Sequence, residues 1–303
     1  MKKRLMAMVM SIVTAGMMIA GSSAAVYAEN TSSEEATDSE ESGEVSATLQ
    51  KYIDQGYITI GTSNDAPISY LDTETGEWTG FDADIFTEAC KRLGINEVKV
   101  ETMDFSELIV ALNSNKIDMI VDCMMIKPER AEQCYFSDYL YQNSEVLVVP
   151  EDSPIESKDD LTGDEVIGCT TGTTFLATAQ EWEADGVIKE ARPMGDQTEL
   201  LLNVQTGKID GCLTDAYVIE YMISVNNEEV AGLKECSKYV PEGAAGNAYA
   251  CRFDDMEMMP EFNKVFADMR AEGVIDEILE SYDLSTELHS ITQEEAEHNL
   301  NTR

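Results

Sequence analysis

Apolar and polar positions alternate along most of the chain in an order that predicts strands and helices in turn. In residues 108–116 apolar side chains recur at the spacing of one helix face and polar side chains end it. The apolar run 119–121 then predicts a buried strand. The same order begins near residue 58 and starts again after residue 144. Such alternation is typical of a parallel-rich sheet covered by helices, so two repeats predict two α/β lobes.

The predicted elements cover the chain from residue 58 to residue 281. The predicted strands are 58–62, 98–101, 119–123, 144–150, 165–169, 187–192, 211–214 and 248–253. The predicted helices are 84–93, 106–114, 173–185, 196–206, 215–225, 258–269 and 273–281. The pattern alone does not show which lobe the last third of the chain joins.

The N-terminus has the composition of an export signal. Three cationic residues precede an apolar run over 5–20, and small residues come before position 28, which predicts a secretory signal peptide over 1–28. The alternative is a membrane anchor, but the run is shorter than the roughly 20 residues that a span prefers. No cysteine precedes Cys90, so we expect an extracytoplasmic protein without a lipid anchor. Residues 29–46 are mostly Ser, Thr, Glu and Asp, which predicts a disordered acidic linker.

Charge and cysteine usage exclude several functions. The net charge is −39, and 17 basic against 59 acidic residues remain without the signal peptide, which argues against a nucleic-acid partner. Several of the seven cysteines lie in apolar strand patterns, so we expect mostly buried free thiols rather than a disulfide framework. The two histidines, His289 and His298, lie in the C-terminal tail without placed ligands, and we expect no metal site.

Arg130 is the most conspicuous polar residue beyond a predicted strand. It follows the strand 119–123 and a helix start with Pro128 in the first turn. Ligands of open α/β sheets lie beyond the carboxyl ends of the strands, and a guanidinium presents a planar fork that suits a carboxylate. The alternative is a solvated helix residue paired with Glu129 or Glu132.

Four sequence blocks carry a resemblance to a known family. They are Gly61-Thr62, Gly80-Phe81-Asp82-Ala83-Asp84-Ile85, residues 108–139 with Pro128-Glu129-Arg130 and Phe136-Ser137-Asp138-Tyr139, and Gly172-Thr173-Thr174 followed by Asp210 and Asp215. In this order the chain resembles the extracytoplasmic solute-binding proteins of the polar amino-acid family, bacterial solute-binding protein family 3. Members of this family capture solutes for ABC importers.

The resemblance implies an α/β, two-lobe periplasmic-binding-protein-like fold with two crossing hinge segments. By matching position, the crossings lie near residues 140–144 and 234–240. The implied division is lobe 1 at 47–142 and 238–285, lobe 2 at 143–237, and a C-terminal tail at 286–303.

The resemblance also implies a site for a solute carboxylate. Arg130 matches the family position that holds this group from lobe 1. Gly172, Thr173 and Thr174 match the half of the same site that lobe 2 supplies, where a helix start offers backbone N–H groups and hydroxyls. An ordinary Thr N-cap is the alternative for this segment.

Two further positions match residues that contact the rest of the solute. Asp215 matches the aspartate that receives the ammonium group, although it also lies where a helix N-cap is expected. Phe105 matches the position whose apolar or aromatic side chain packs on the solute, and a core phenylalanine is the alternative.

Two departures from the family bear on the ligand. Asp65 stands where a second aromatic residue is common before Pro67, and Met125 stands where a hydroxyl residue is common five positions before the arginine. Either the solute is cationic and meets Asp65, or it is not a standard α-amino acid.

The resemblance predicts capture of an amino acid or related polar solute and its delivery to an ABC permease by hinge closure. We expect a monomer that uses no cofactor and is not an enzyme. One alternative is a dehydratase-like enzyme with Asp65, Asp122 or Asp215 as general acid. Another is a secreted sensor that presents its ligand to a receptor.

Overall fold

The structure is a computed structural model that describes residues 45–225, 227–242 and 245–297. The predicted signal peptide and residues 29–44 of the predicted linker lie outside the described residues. His298 of the tail also lies outside them.

The described strands are short and the helices are of moderate length. The strands are β1 (Tyr57–Thr62), β2 (Tyr70–Leu71), β3 (Trp78–Thr79), β4 (Glu97–Thr102), β5 (Met119–Met125), β6 (Tyr135–Phe136), β7 (Tyr141–Asn143), β8 (Glu145–Pro150), β9 (Val166–Thr170), β10 (Glu190–Met194), β11 (Gly211–Asp215), β12 (Leu233–Glu235) and β13 (Ala245–Cys251). The helices are α1 (Ala47–Gln55), α2 (Phe81–Leu93), α3 (Leu108–Asn113), α4 (Pro128–Ala131), α5 (Thr174–Ala184), α6 (Gln197–Gln205), α7 (Ala216–Ser224), α8 (Met259–Ala271), α9 (Val274–Ser281), α10 (Thr286–His289) and α11 (Gln293–Ala296).

The first sheet combines strands from both ends of the described chain. Its order is β4-β1-β5-β13-β6, and β7 also pairs with β13. Strands β4, β1 and β5 are parallel, whereas β13 runs antiparallel to β5, β6 and β7. The carboxyl end of β5, which precedes Arg130, therefore lies at the edge where such sheets bind ligands.

The second sheet comes from the middle of the chain alone. Its order is β10-β9-β11-β8-β12, with β10, β9 and β11 parallel and the other two strands antiparallel to their neighbours. The chain passes between the sheets at Ser144, between β7 and β8, and again between β12 and β13. Strand β7 ends at Asn143 in the first sheet, whereas the sequence placed residue 143 in lobe 2.

Aromatic side chains pack the helices onto the first sheet. Phe86 of α2 stacks on Phe262 of α8 with ring centroids 5.6 Å apart, and the edge of Tyr249 from β13 contacts Phe86 at a similar distance. All three side chains are completely buried. Such contacts bury large apolar areas, so this packing fixes α2 and α8 against β13.

The sequence pattern missed helix α1. Its N-cap is Ser46, which the sequence assigned to the linker: the Ser46 side chain accepts a hydrogen bond from the Leu49 N–H. The Ser46 N–H donates to Glu261 at 2.7 Å, and Leu49 and Tyr52 are buried. Residue 46 therefore belongs to the folded body.

The described part of the tail packs against both halves of the chain. His289 is buried, and its ring nitrogens lie 3.2 Å from the Gln142 carbonyl and 3.0 Å from the Glu220 carboxylate. The Tyr139 N–H donates to the Ala296 carbonyl. Residues 286–297 thus cover the first crossing and contact α7.

All seven cysteines have buried free thiols, as the sequence predicted. Among the described residues, no helix combines the length and the apolar character that crossing a membrane requires.

Candidate functional site

Arg130 is held in a fixed orientation at the end of β5. Pro128 begins helix α4, whose short turn brings the guanidinium back over the last residue of the strand. Nη1 donates to the Met125 carbonyl at 2.7 Å, and Nη2 donates to the Gly172 carbonyl at 2.9 Å. The Arg130 side chain is 8% exposed, so it is not the solvated helix residue of the alternative interpretation.

The loop between β9 and α5 approaches Arg130 from the second sheet. Gly172 has a φ of 85°, and a Cβ there would lie 3.1 Å from the Cβ of Ser106, so both conformation and space favour glycine. The Thr173 side chain accepts from the Leu176 N–H and therefore is the helix N-cap. The Thr174 hydroxyl points instead across the cleft, 3.2 Å from the Met125 sulfur. The loop thus presents a helix N-terminus toward the arginine.

Asp215 ends β11 and precedes α7, but its side chain makes no N-cap hydrogen bond. Its carboxylate accepts instead from the Asn143 side-chain amide. Burial, with a contribution from the charge of Asp65, raises the pKa of Asp215 to about 7. A buried carboxylate that is not used as a cap remains available to a cation.

Phe105 and Asp65 face the same space from the first half of the chain. The Phe105 ring centre lies 5.3 Å from the guanidinium carbon of Arg130, a cation–π distance, while the ring also packs on the core beside α3. Asp65 is half-buried and accepts from the Ser63 hydroxyl at 2.8 Å. Burial raises the pKa of Asp65 to about 6, and Asp196 from the second sheet's lobe adds to the shift.

These side chains line one cavity between the two sheets, which we call the cleft cavity. Seven of the eight residues predicted from the sequence line it: Asp65, Phe105, Met125, Arg130, Thr173, Thr174 and Asp215. Gly172 does not line it and contributes through the carbonyl that accepts from Arg130. The other lining residues are Ser63, Ile68, Asp122, Cys123, Thr170, Phe175 and Gln197.

Asp122 adds a third carboxylate to the cavity. It is 2% exposed and accepts from the Thr62 hydroxyl at 3.0 Å and from the Ser63 N–H at 2.9 Å. Burial raises its pKa, and the nearby Asp65 adds to the shift. Among the described residues that line the cavity, three are acidic and Arg130 alone is basic. The cavity thus has two more carboxyl groups than basic groups, and a positive charge placed among them would favour their ionised forms.

The family model of bacterial extracellular solute-binding proteins, family 3, matches residues 58–285. The chain belongs to this family. The match confirms the family inferred from the four sequence blocks. It also confirms the predicted class of function, capture of an amino acid or related polar solute for an ABC importer.

Relatives of this solute-binding protein include named amino-acid binders. The chain is 29% identical over 229 residues to the lysine/arginine/ornithine-binding periplasmic protein of Escherichia coli K12, a match that covers 74% of the chain and 86% of the relative. A solved ancestral arginine-binding protein bound to arginine has 28% identity and a TM-score of 0.67, covering 75% of this chain and 98% of its own. An ancestral amino acid-binding protein that is a precursor of cyclohexadienyl dehydratase has 26% identity and a TM-score of 0.67, covering 78% and 99%. The predicted two-lobe α/β fold is confirmed.

The sequence did not single out Gln197, and it named Asp122 only as a possible acid. An aspartate inside the apolar run of β5 was a visible signal for Asp122, because burying a carboxylate is costly unless it has partners. Gln197 gave no such signal, since a polar residue at a helix start is ordinary.

Proposed function

We propose that this solute-binding protein captures a cationic amino acid. Arg130 and the N-terminus of α5 hold the carboxylate, and Asp215 receives the ammonium group. Phe105 packs on the solute, and Asp65 attracts the positive charge of its side chain. The observation that carries the proposal is the gathering of three carboxylates around one guanidinium in the cleft cavity.

The charge balance favours a basic solute over a neutral one. A zwitterion brings one positive and one negative group, which would leave the excess of carboxyl groups over basic groups in the cavity unchanged. A second positive charge on the solute reduces it. Relatives named for lysine, arginine and ornithine binding support the same class.

Closure of the cleft is part of the proposal. Arg130 in the first lobe already donates to Gly172 in the second, and Thr174 contacts Met125 across the same gap. A solute held between Arg130 and Asp215 adds further bonds between the lobes and thereby favours the closed form. We infer that the protein acts outside the cytoplasm as a monomer and delivers its solute to the permease of an ABC importer.

Replacing Asp65 with asparagine is expected to weaken the binding of lysine or arginine by about 10- to 100-fold, because the acceptor of the hydrogen bond from the cationic end group loses its negative charge. The affinity for a neutral amino acid such as glutamine should fall much less. Titration calorimetry with both kinds of solute measures the difference. Asp164→Asn, which also removes one negative charge but at an exposed position, is the control. Equal losses for basic and neutral solutes would show that Asp65 does not select charge.

Affinity for a basic amino acid is expected to fall as the pH is lowered. The raised pKa values of Asp215, about 7, and Asp65, about 6, mean that the empty cleft takes up protons between pH 8 and pH 5. A cationic solute needs the ionised carboxylates, so it competes with these protons. We expect a loss of at least about 10-fold over this range.

Calorimetry at several pH values, in buffers of different ionisation enthalpy, reports both the affinity and the protons released. The Asp65→Asn variant should lose the part of the fall near pH 6, and the remaining part should move below pH 7, because the charge of Asp65 no longer adds to the raised pKa of Asp215. An affinity that stays constant from pH 8 to pH 5 would contradict the proposed contact between solute and carboxylates.

A second candidate function is catalysis on the same scaffold. Carboxyl groups with raised pKa values in a cleft are suited to general acid chemistry, and one structural relative is a precursor of a dehydratase. We propose binding without turnover. Mass analysis of basic amino acids after long incubation tests this: intact recovery supports binding, and conversion supports an enzyme.

A further inference from the structure

Gln197 is a buried amide with an unused donor at the cleft cavity. It is the first residue of α6, its side chain is 6% exposed, and it lines the cavity. Its Oε1 accepts from the Thr214 hydroxyl at 2.8 Å, whereas its Nε2 is buried without a hydrogen-bond partner. Buried polar groups are nearly always paired, so a group left unpaired beside a cavity points to a ligand.

The position of the amide is fixed by the second sheet. Thr214 is 1% exposed and lies in β11 immediately before Asp215. Its hydroxyl can donate or accept. The Gln197 amide can therefore present either its N–H groups or its oxygen to the cavity and keep its bond to Thr214 in both orientations.

Gln197 and Asp65 line the same cavity. The charge of Asp196, the residue before Gln197, also adds to the raised pKa of Asp65. Arg130 contacts a different group of residues, namely Met125, Phe105 and Gly172. A solute whose carboxylate meets Arg130 can therefore place the end of its side chain among the other residues of the cavity, which include Asp65 and Gln197.

We propose that Gln197 is a specificity-determining residue that binds the far end of the solute side chain, opposite Asp65. The proposal rests on the proposed function. A cationic end group with several N–H donors, an ammonium or a guanidinium, donates to Asp65 and to the Gln197 oxygen at once. The amide turns for this purpose, and Thr214 then accepts from Nε2.

The test compares lysine with norleucine, which has a similar chain length but no terminal nitrogen. Gln197→Met keeps the size of the side chain and removes its hydrogen-bonding atoms. We expect lysine to bind about 10-fold more weakly to this variant and norleucine to bind as it does to the wild type. Gln197→Glu keeps an acceptor for Thr214 and should bind lysine at least as tightly as the wild type. Gln180→Met, on the exposed face of α5, is the matched control.

Melting curves of the empty variants establish that each one folds. An equal loss for lysine and norleucine, or no loss for lysine, would overturn the inference while leaving the proposed function intact. If the wild type binds no basic amino acid, the proposed function fails, and the role of Gln197 fails with it.

Discussion

Arg130→Ala is expected to lower the affinity for the solute by roughly 30-fold to several thousandfold. The change leaves the solute carboxylate desolvated in the closed cleft with only the donors at the start of α5. Truncating one member of such a buried charged pair costs about 2 to 5 kcal/mol, and each 1.4 kcal/mol is a factor of ten. The variant also loses the bond from Arg130 to the Gly172 carbonyl, so it weakens the closed form itself.

Arg130→Lys should restore little of this affinity. An ammonium group cannot donate two parallel N–H bonds to one carboxylate, and it cannot reach both Met125 and Gly172 as the guanidinium does. Arg130→Lys keeps the positive charge, whereas Arg130→Ala removes it. The difference in affinity between the two variants therefore separates the effect of the charge from the effect of the guanidinium geometry.

The empty Arg130 variants should still fold. Both lose the guanidinium donor to the Met125 carbonyl, which costs about 1 to 3 kcal/mol and lowers the melting temperature by about 2 to 12 °C in a chain of this size. Calorimetric titrations and melting curves measure the two effects separately. Arg192→Ala, at a surface arginine that pairs with Glu190, is the control. Wild-type affinity in Arg130→Ala would refute the carboxylate site, and a collapsed melting temperature would make Arg130 a structural residue.

The element order could be read from the sequence because each predicted element carries a periodic apolar face. The predicted boundaries of helices and strands were wrong where tertiary contacts determine them. The sequence predicted a strand over 187–192, but the structure has β10 at Glu190–Met194. Val187 and Ile188 instead donate their N–H groups back to the Trp182 carbonyl at the end of α5, and the Ile188 side chain is buried in that turn.

The sequence likewise predicted part of the candidate site and missed the part that depends on tertiary contacts. Arg130 and Asp215 were found because they match family positions, but the bonds to Gly172 and from Asn143 that help to orient them come from residues far away in the chain. The unpaired donor of Gln197 exists only because Thr214, 17 residues later, occupies the other end of the amide. A sequence pattern does not contain this information.

Asp82 illustrates a residue whose contacts are visible only in three dimensions. In the sequence it is an acidic residue in the first turn of α2, a common feature that favours the helix dipole. In the structure it is completely buried and accepts from the Cys123 N–H at 2.7 Å, the Tyr141 hydroxyl at 2.6 Å and the Tyr249 hydroxyl at 2.8 Å. It therefore joins α2 to β5, β7 and β13.

The bond to Cys123 connects this network to the cleft cavity. Cys123 has a φ of 46°, a left-handed conformation that a residue with a side chain rarely adopts and that costs of order 1 to 3 kcal/mol. Cys123 and its neighbour Asp122 both line the cavity. The Asp82 carboxylate thus stabilises the strained backbone that forms one wall of the cavity.

Asp82→Ala is expected to lower the free energy of unfolding by about 3 to 5 kcal/mol, because it leaves three buried donors without their acceptor. At roughly 2 to 4 °C per kcal/mol for a domain of this size, the melting temperature should fall by about 6 to 20 °C. Affinity for the solute should fall as well, since Cys123 is free to leave its strained conformation and to move the cavity wall. Burial raises the pKa of Asp82 to about 6, so we compare the variants above pH 7, where the wild-type group is ionised.

Two further variants identify the cause of the loss. Asp82→Asn keeps one oxygen for the Cys123 N–H, so its stability should lie between those of the wild type and the alanine variant. Asp84→Ala removes the other acidic residue in the first turn of α2, an exposed carboxylate that accepts from the Tyr282 hydroxyl. It should cost less than about 1 kcal/mol because the lost bond is at the surface.

Thermal and denaturant unfolding of the three empty proteins, followed by solute titration at a temperature where all are folded, gives the comparison. If Asp82→Ala and Asp84→Ala are equally stable, the buried network does not stabilise the wall, and Asp82 acts only through the helix dipole.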